Sequence, residues 1–313
     1  MSRLSKHKKK KGKWWKIPLL LLTLIILAGG IYVYTVYSGA KSTVDEKMHK
    51  QVASINHELT EKKMEEQKSL NILLMGVDER SYDSGRSDAL MVLTLDPSNN
   101  RSQLVSIPRD TRTEMVGNAP QSGSLDKINH AYAFGGADMA INTVENFLDI
   151  ELDYYVKVNM EGLADLVNSV GGVTVQNSID WVGTNGYHYK KGQLTLNGSQ
   201  ALRYVRMRYE DPKGDLGRNE RQRQIIKAIV DKGASVGSVN KIGDVMDVLG
   251  NNVTTNMDFN TMKDLMLNYR SAQKDMTTYQ MTGSGTKING IYYLQVSDQE
   301  IQEVHNMIKE YSS

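Results

Sequence analysis

Residues 17–37, IPLLLLTLIILAGGIYVYTVY, are 21 consecutive residues without a charge, and such a run fixes where the rest of the chain can be. As an α-helix it spans about 30 Å at 1.5 Å per residue, the depth of a bilayer's hydrocarbon core. Eight of the first 16 residues are Lys or Arg and none is acidic, which predicts a cytoplasmic N-terminus. Trp14 and Trp15 at one edge of the run, and Tyr32, Tyr34 and Tyr37 toward the other, suit the two membrane interfaces. A cleaved signal peptide shares the basic start and apolar core, but this core is longer than a usual one and Ser38-Gly39-Ala40 gives only an indistinct cleavage site. The expectation is an uncleaved signal anchor at 17–37, a basic tail at 1–16, and the remainder outside the cell membrane.

Removing the tail's eight bases leaves 30 against 36 acids, a net charge of −6. The basic pI therefore belongs to the tail and does not argue for nucleic acid; a segment of 16 residues is also too short for a helix-turn-helix module. There is no cysteine in 313 residues, so disulfides and thiolate sites are excluded. The six histidines, His130 among them, show no metal-ligand spacing. Residues 38–69, with Val44, Met48, Val52, Ile55, Leu59 and Met64 at near-helical intervals, read as a helical stalk or a charged linker, and residues 70–313 as one domain.

Within that domain, LNILLMGVD (70–78) has the length and composition of a fully buried strand. Strands are also expected at 88–95 and 103–107, so that Asp78 and Asp88 meet at one end of a sheet and the third strand runs into Pro108-Arg109-Asp110-Thr111-Arg112. Open α/β sheets place ligand sites at such strand ends. A carboxylate pair there suits a hard cation such as Mg²⁺, or Mn²⁺. Helices at 137–148 and 161–170, strands at 154–159 and 173–176, and a hairpin-like segment at 186–196 follow. Helices at 240–249, 260–269 and 298–311 and strands at 277–281 and 292–296 close an α/β layered pattern.

Residues 201–224, ALRYVRMRYEDPKGDLGRNERQRQ, hold six arginines. The first half reads as a half-buried strand with Arg206 and Arg208 on the face of Tyr204. After Asp211, Pro212, Gly214 and Gly217, a helix is expected from near Asn219, with Arg218, Arg221, Gln222, Ile225, Ile226 and Ile229 on one face. Inward arginines near a helix N-terminus point to an anion, and Arg is the side chain suited to a bidentate grip on phosphate. The competing reading is a solvated basic face.

These blocks, NILLMGVDER with RSDALMVL, SIPRDTR, KINHAYAFGG, Gly171-Gly172-Val173 and LNGSQALRYVRMRYEDPKGDLGRNERQRQ, resemble the LytR-CpsA-Psr family, and within it the teichoic acid transferase branch of Gram-positive bacteria. The resemblance implies a three-layer α/β/α fold whose mixed sheet and helices enclose an apolar channel for a polyprenyl chain. By position it implies Asp78 and Asp88 as magnesium ligands. Arg86, Arg109, Arg206, Arg208, Arg218, Gln222, Lys127 and Asp215 form its diphosphate-binding and catalytic set, to which spacing adds Arg221 and Arg112.

The implied partners are a polyprenyl diphosphate-linked glycopolymer and a peptidoglycan acceptor. The implied reaction forms a phosphodiester and releases polyprenyl phosphate. Residue types leave a diphosphatase and a non-catalytic lipid carrier as alternatives, leave the general base open between Asp88 and Asp110, and leave the oligomeric state unspecified.

Overall fold

In the computed structural model, which describes residues 31–32, 34–79, 85–160, 162–184, 186–233 and 242–311, the run LNILLMGV becomes β1 (Leu70–Val77), an inner strand of a six-stranded mixed sheet. It pairs antiparallel with β2 (Ser87–Asp96), which pairs antiparallel with β3 (Arg101–Ser106). A small hairpin of β4 (Arg112–Glu114) and β5 (Leu125–Lys127) follows. Next, β6 (Tyr154–Asn159) joins the free side of β1 in parallel.

Four short strands stand apart from this sheet: β7 (Val173–Asn177), β8 (Trp181–Val182), β9 (His188–Tyr189) and β10 (Gly192–Leu196). The edges are then closed by β11 (Val253–Thr255) and β12 (Asp275–Gln280), giving the order β11-β6-β1-β2-β3-β12. A last hairpin pairs β13 (Ser284–Ile288) with β14 (Ile291–Gln295).

A strand apolar on both faces needs cover on both, and helices supply it. In chain order they are α1 (His57–Glu65), α2 (His130–Leu148), α3 (Gly162–Ser169), α4 (Gly198–Arg206), α5 (Asp215–Gly233), α6 (Ile242–Asn252), α7 (Phe259–Asn268) and α8 (Asp298–Tyr311). Leu73, Met75 and Val77 pack with Ile141, Val144 and Leu148 of α2 and Val304 and Ile308 of α8. Leu70 and Ile72, pointing the other way, meet Met257, Tyr269 and the α7 side chains Met262 and Leu265. Further along that second face Ala89, Met91 and Leu104 meet Ile226 of α5. The result is the expected layering of helices, mixed sheet and helices.

Several local expectations are corrected. Residues 201–206 belong to α4 and are not a strand. Asn197 accepts from the backbone of Gln200 while Gln200 accepts from the backbone of Asn197, a capping box that starts a helix. Ala201, Tyr204 and Val205 are buried together at i, i+3 and i+4, while Arg206 is exposed. Tyr204 therefore does not share a face with Arg206.

The following helix starts at Asp215, four residues before Asn219. Gly217 lies inside it, where a Cβ would collide with the Asp211 carboxylate; it is a close-approach glycine and not a breaker.

The helix expected from residue 137 is preceded by another segment from His130, with a kink at Gly135 and Gly136, the latter at φ 65°. The segment 186–196 is not a hairpin, since β9 pairs with β8 and β10 with β7. The region read as a stalk is laid against the domain: Val44 and Met48 pack with Val253, and Val52 and Ile55 join the core beneath β1. The basic tail and most of the expected membrane span lie outside the described residues. Among the described residues no helix is long and apolar enough to cross a membrane.

Candidate active site

Strand register assembles a charged pocket. The β1–β2 ladder shifts between Gly76 and Val77, setting Val77 opposite Ser87, and the Asp78 N–H reaches the Arg86 carbonyl at 3.4 Å. Asp78 and Asp88 are thereby brought to one end of two neighbouring strands. On the far side of β2 the Ile107 N–H donates to the Leu90 carbonyl, so the chain leaving β3 delivers Arg109 to the same end, where its Nη1 donates to Asp88 Oδ1 at 2.7 Å. The β4–β5 register sets Arg112 opposite Lys127, and Lys127 Nζ donates to Asp110 Oδ1 at 2.8 Å. Asp78, Arg86, Asp88, Arg109, Asp110, Lys127, Asn129 and His130 line one cavity of about 320 Å³.

The segment joining α4 to α5 meets this pocket through ion pairs with its lining residues. Arg206 Nη2 lies 3.7 Å from Asp78 Oδ1. Asp215 Oδ1 gathers three guanidinium groups: Arg218 Nη2 at 2.8 Å, Arg208 Nε at 3.7 Å and Arg109 Nε at 3.9 Å. Counting pocket and segment together, six cations (Arg86, Arg109, Lys127, Arg206, Arg208, Arg218) face four carboxylates (Asp78, Asp88, Asp110, Asp215). The excess is positive, so the site favours an anion.

Arg218 makes the point most sharply. Its residue is 7% exposed, yet Nε and Nη2 make no aligned hydrogen bond, and Asp215 Oδ1 close by is likewise unsatisfied. The 2.8 Å contact is thus an ion pair with poor hydrogen-bond geometry. Burial pushes the Arg218 guanidinium below the usual arginine range, with Asp215 offsetting only part and Arg109 and Arg208 adding to it. Leaving a buried donor unmet costs about 1–3 kcal/mol, a cost that an anionic oxygen would relieve. Burial also works against the charge on Arg109, but its hydrogen bond to Asp88 and the neighbouring Asp215 and Asp110 outweigh that and raise it.

Arg221 shares the buried face but has another task. Its Nη1 donates to Asp211, its Nε to the Tyr204 carbonyl and its Nη2 to the Met207 carbonyl. Every group of this buried fork is engaged, so the expectation that Arg221 grips diphosphate is corrected: it fastens the α4–α5 turn that carries Arg206 and Arg208. Arg112 also stays off the pocket wall, with its guanidinium 6.0 Å from the Tyr293 ring centroid.

Next to the charged pocket lies an apolar cavity of about 220 Å³, between the sheet and α3, α4 and α5. Leu74, Met91, Met160, Leu166, Ile225 and Ile226 are among its walls, and Gln222 is its polar member. The two spaces follow one another along the chain. Gly76 lines the apolar one and Asp78 the charged one; Ala89 and Asp88 divide in the same way. Gln222 comes one helical turn after Arg218, with its buried Oε1 unbonded.

Asp78 and Asp88 offer hard oxygens, and no group of three or more His, Cys, Asp or Glu that could hold a metal occurs among the described residues. That donor set fits an ion taking one or two protein carboxylates and filling its octahedron from water and phosphate, as Mg²⁺ does.

The residues of this pocket that sequence reasoning passed over are Asn129 and His130, although DKINH already placed an acid four residues before the histidine. His130 Nδ1 lies 2.9 Å from Asp126 Oδ2.

The chain matches the LytR_cpsA_psr family over residues 31–310. It is 44% identical over 308 residues to the polyisoprenyl-teichoic acid–peptidoglycan teichoic acid transferase TagU of Bacillus subtilis strain 168, covering 98% of each chain. The crystal structure of B. subtilis TagU superposes with a TM-score of 0.65 at 44% identity, covering 79% of this chain and 97% of that one. A structure described as TagT bound to LIIa-WTA superposes with a TM-score of 0.68 at 33% identity, covering 79% and 91%. With its mixed sheet, its strand-end carboxylates and its arginine turn in the blocks that suggested the resemblance, the chain belongs to the LytR_cpsA_psr family.

Proposed function

We propose that this protein transfers a teichoic acid-type glycopolymer from a polyprenyl diphosphate carrier to peptidoglycan, forming a phosphodiester bond and releasing polyprenyl phosphate. The observation that carries this reading is Arg218, a buried arginine with unmet donors that shares Asp215 with Arg109 of the electropositive pocket and lies one helical turn before Gln222 of the apolar cavity. An amphiphile with a diphosphate head and a hydrocarbon tail meets both demands. The teichoic acid transferase names of relatives 43–44% identical along nearly the whole chain support the same substrate class.

In this reading the prenyl chain occupies the apolar cavity, where burial of hydrocarbon contributes about 25 cal/mol per Å². Arg218, Arg208, Arg206 and Arg109 take the diphosphate oxygens, and Lys127 and Arg86 close the pocket. Asp215 holds three of these guanidinium groups in place before the substrate arrives. Preorganised charge of this kind stabilises the transferring phosphoryl group and the leaving phosphate without reorganisation during the reaction. Asp78 and Asp88 would hold Mg²⁺ or Mn²⁺, which when bound supplies further charge stabilisation at phosphoryl oxygens. The uncharged run at 17–37 and the lysines before it support a single-pass anchor with the domain outside the cell membrane, where lipid-linked polymer and glycan meet.

The test incubates the full-length chain in detergent with a polyprenyl diphosphate-linked teichoic acid polymer, nascent peptidoglycan and Mg²⁺, and follows the polymer by mass spectrometry. The reading expects polymer joined to glycan through phosphate and free polyprenyl phosphate, with the product lost on chelation and restored by Mg²⁺. Free phosphorylated polymer would make the protein a diphosphatase. Unreacted lipid co-purifying with it would make it a carrier.

A further inference from the structure

Transfer to a hydroxyl needs a group that removes its proton, and neither carboxylate singled out in the sequence is well placed to do so. Asp88 Oδ1 holds Arg109 at 2.7 Å and Asp110 Oδ1 holds Lys127 at 2.8 Å. A proton arriving on either would compete with a cation that the anionic substrate also requires. His130 is differently placed. It lines the charged pocket, and its Nδ1 lies 2.9 Å from Asp126 Oδ2, which takes no part in the Asp88–Arg109 and Asp110–Lys127 pairs. Nε2 makes no hydrogen bond to any described residue.

Asp126 is built to hold an imidazole. Its Oδ1 accepts from the Lys127 N–H at 2.7 Å and from the Tyr293 hydroxyl at 3.4 Å, leaving Oδ2 for His130. Burial raises the Asp126 carboxyl, but the hydrogen bonds from His130, Lys127 and Tyr293 outweigh it and hold the group below the usual carboxylate range. An ionised Asp126 can only accept, so Nδ1 is the donor of this pair, and a neutral imidazole held this way has its lone pair on Nε2. The Phe134 ring meets the imidazole edge-on at 5.8 Å, which steadies its plane. The position is tied to the reaction centre through the backbone, because the Asn129 carbonyl accepts from Ser87 Oγ at 3.5 Å, one residue before Asp88.

We infer that His130 is the general base of the transfer, taking the acceptor hydroxyl's proton on Nε2, with Asp126 as its positioning residue. The inference rests on the transfer reading above. The acceptor oxygen forms a bond to the polymer-side phosphorus as the bond from that phosphorus to the bridging oxygen breaks. The electron pair leaves with polyprenyl phosphate, and the proton passes from His130 to solvent. The charged groups around the imidazole are Asp126 and Lys127 on β5, Asp110 and Arg109 after β3, Asp88 on β2, and Asp78 and Arg86 between β1 and β2.

The experiment compares full-length wild type with H130Q, H130A and D126N in the polymer-to-glycan assay across pH. General base catalysis contributes about 10²–10⁴-fold, so H130Q should lose about that much kcat with lipid-substrate KM little changed. The pH-rate limb that rises on deprotonation should vanish. D126N should lose tenfold or more, and added imidazole should restore part of the H130A rate, which a purely structural histidine would not allow. Wild-type transfer with undiminished H130Q, or H130A and D126N losses with no rescue and an unaltered pH profile, would overturn the assignment. No transfer by wild type would overturn the parent reading and this one with it.

Discussion

Arg218 and Arg221 sit three residues apart on the buried face of α5, each beside an aspartate, and their surroundings differ in one respect. Arg221 finds an acceptor for each arm of its fork in Asp211 and two backbone carbonyls. Arg218 touches Asp215 but leaves Nε and Nη2 without an aligned partner. Burial is nearly equal, so burial alone does not mark the functional arginine; unmet hydrogen-bonding capacity does. The closed pair builds the turn, and the open pair waits for an anion.

The largest effect should come from opening the closed pair. R221A leaves Asp211 buried without its cation, which costs about 3–5 kcal/mol of stability. Chemical denaturation should show it as a lower midpoint, and a midpoint near wild type would erase the distinction between the two arginines. Conversely, R218A should fold with stability close to wild type or better, since it removes a charge that burial disfavours. Its transfer rate should fall by about 10²–10³, the scale for removing one charge-stabilising donor. Comparable rate losses with equal unfolding in both variants would contradict the comparison.

A half-buried charge, Glu145, asks whether the rule extends to carboxylates. Burial raises the Glu145 carboxyl, and the hydrogen bond from the Leu152 N–H at 2.8 Å offsets only part. A carboxyl whose folded-state value is raised costs stability once pH climbs past its unfolded value, and the cost is complete above its folded value. E145Q keeps an oxygen for Leu152 and removes the charge. It should melt slightly higher than wild type at pH 7, with the difference shrinking as pH falls into the carboxylate range.

Much of this arrangement was readable from residue order. The pattern of LNILLMGVD announced a strand buried on both faces, and β1 lies inside the sheet with cores on either side. Helical spacing puts Arg218, Arg221, Gln222, Ile225, Ile226 and Ile229 on one face; the first four are buried and the last two are half-buried and line the apolar cavity. Spacing could not separate Arg221 from Arg218, because the difference depends on Asp211 folding back from the loop.

The strand expected over the first half of 201–224 failed for a related reason. Tyr204 and Val205 satisfy a helical period once Ala201 is counted, and the decisive capping pair, Asn197 and Gln200, lies upstream. The Asp126–His130 pair has helical spacing in DKINH, but Asp126 lies in β5 and His130 starts α2, so a helix pattern across both was not there to call attention to it.

That the open Arg218–Asp215 pair, one helical turn from the apolar cavity, receives a lipid diphosphate is tested most directly by a crystal structure of the full-length chain with a polyprenyl diphosphate-linked polymer. The account predicts diphosphate oxygens within hydrogen-bonding distance of Arg218 Nε and Nη2, the prenyl chain between the sheet and α5, and the Arg221–Asp211 pair unchanged. A diphosphate held by Arg221, or a prenyl chain outside that cavity, would contradict it.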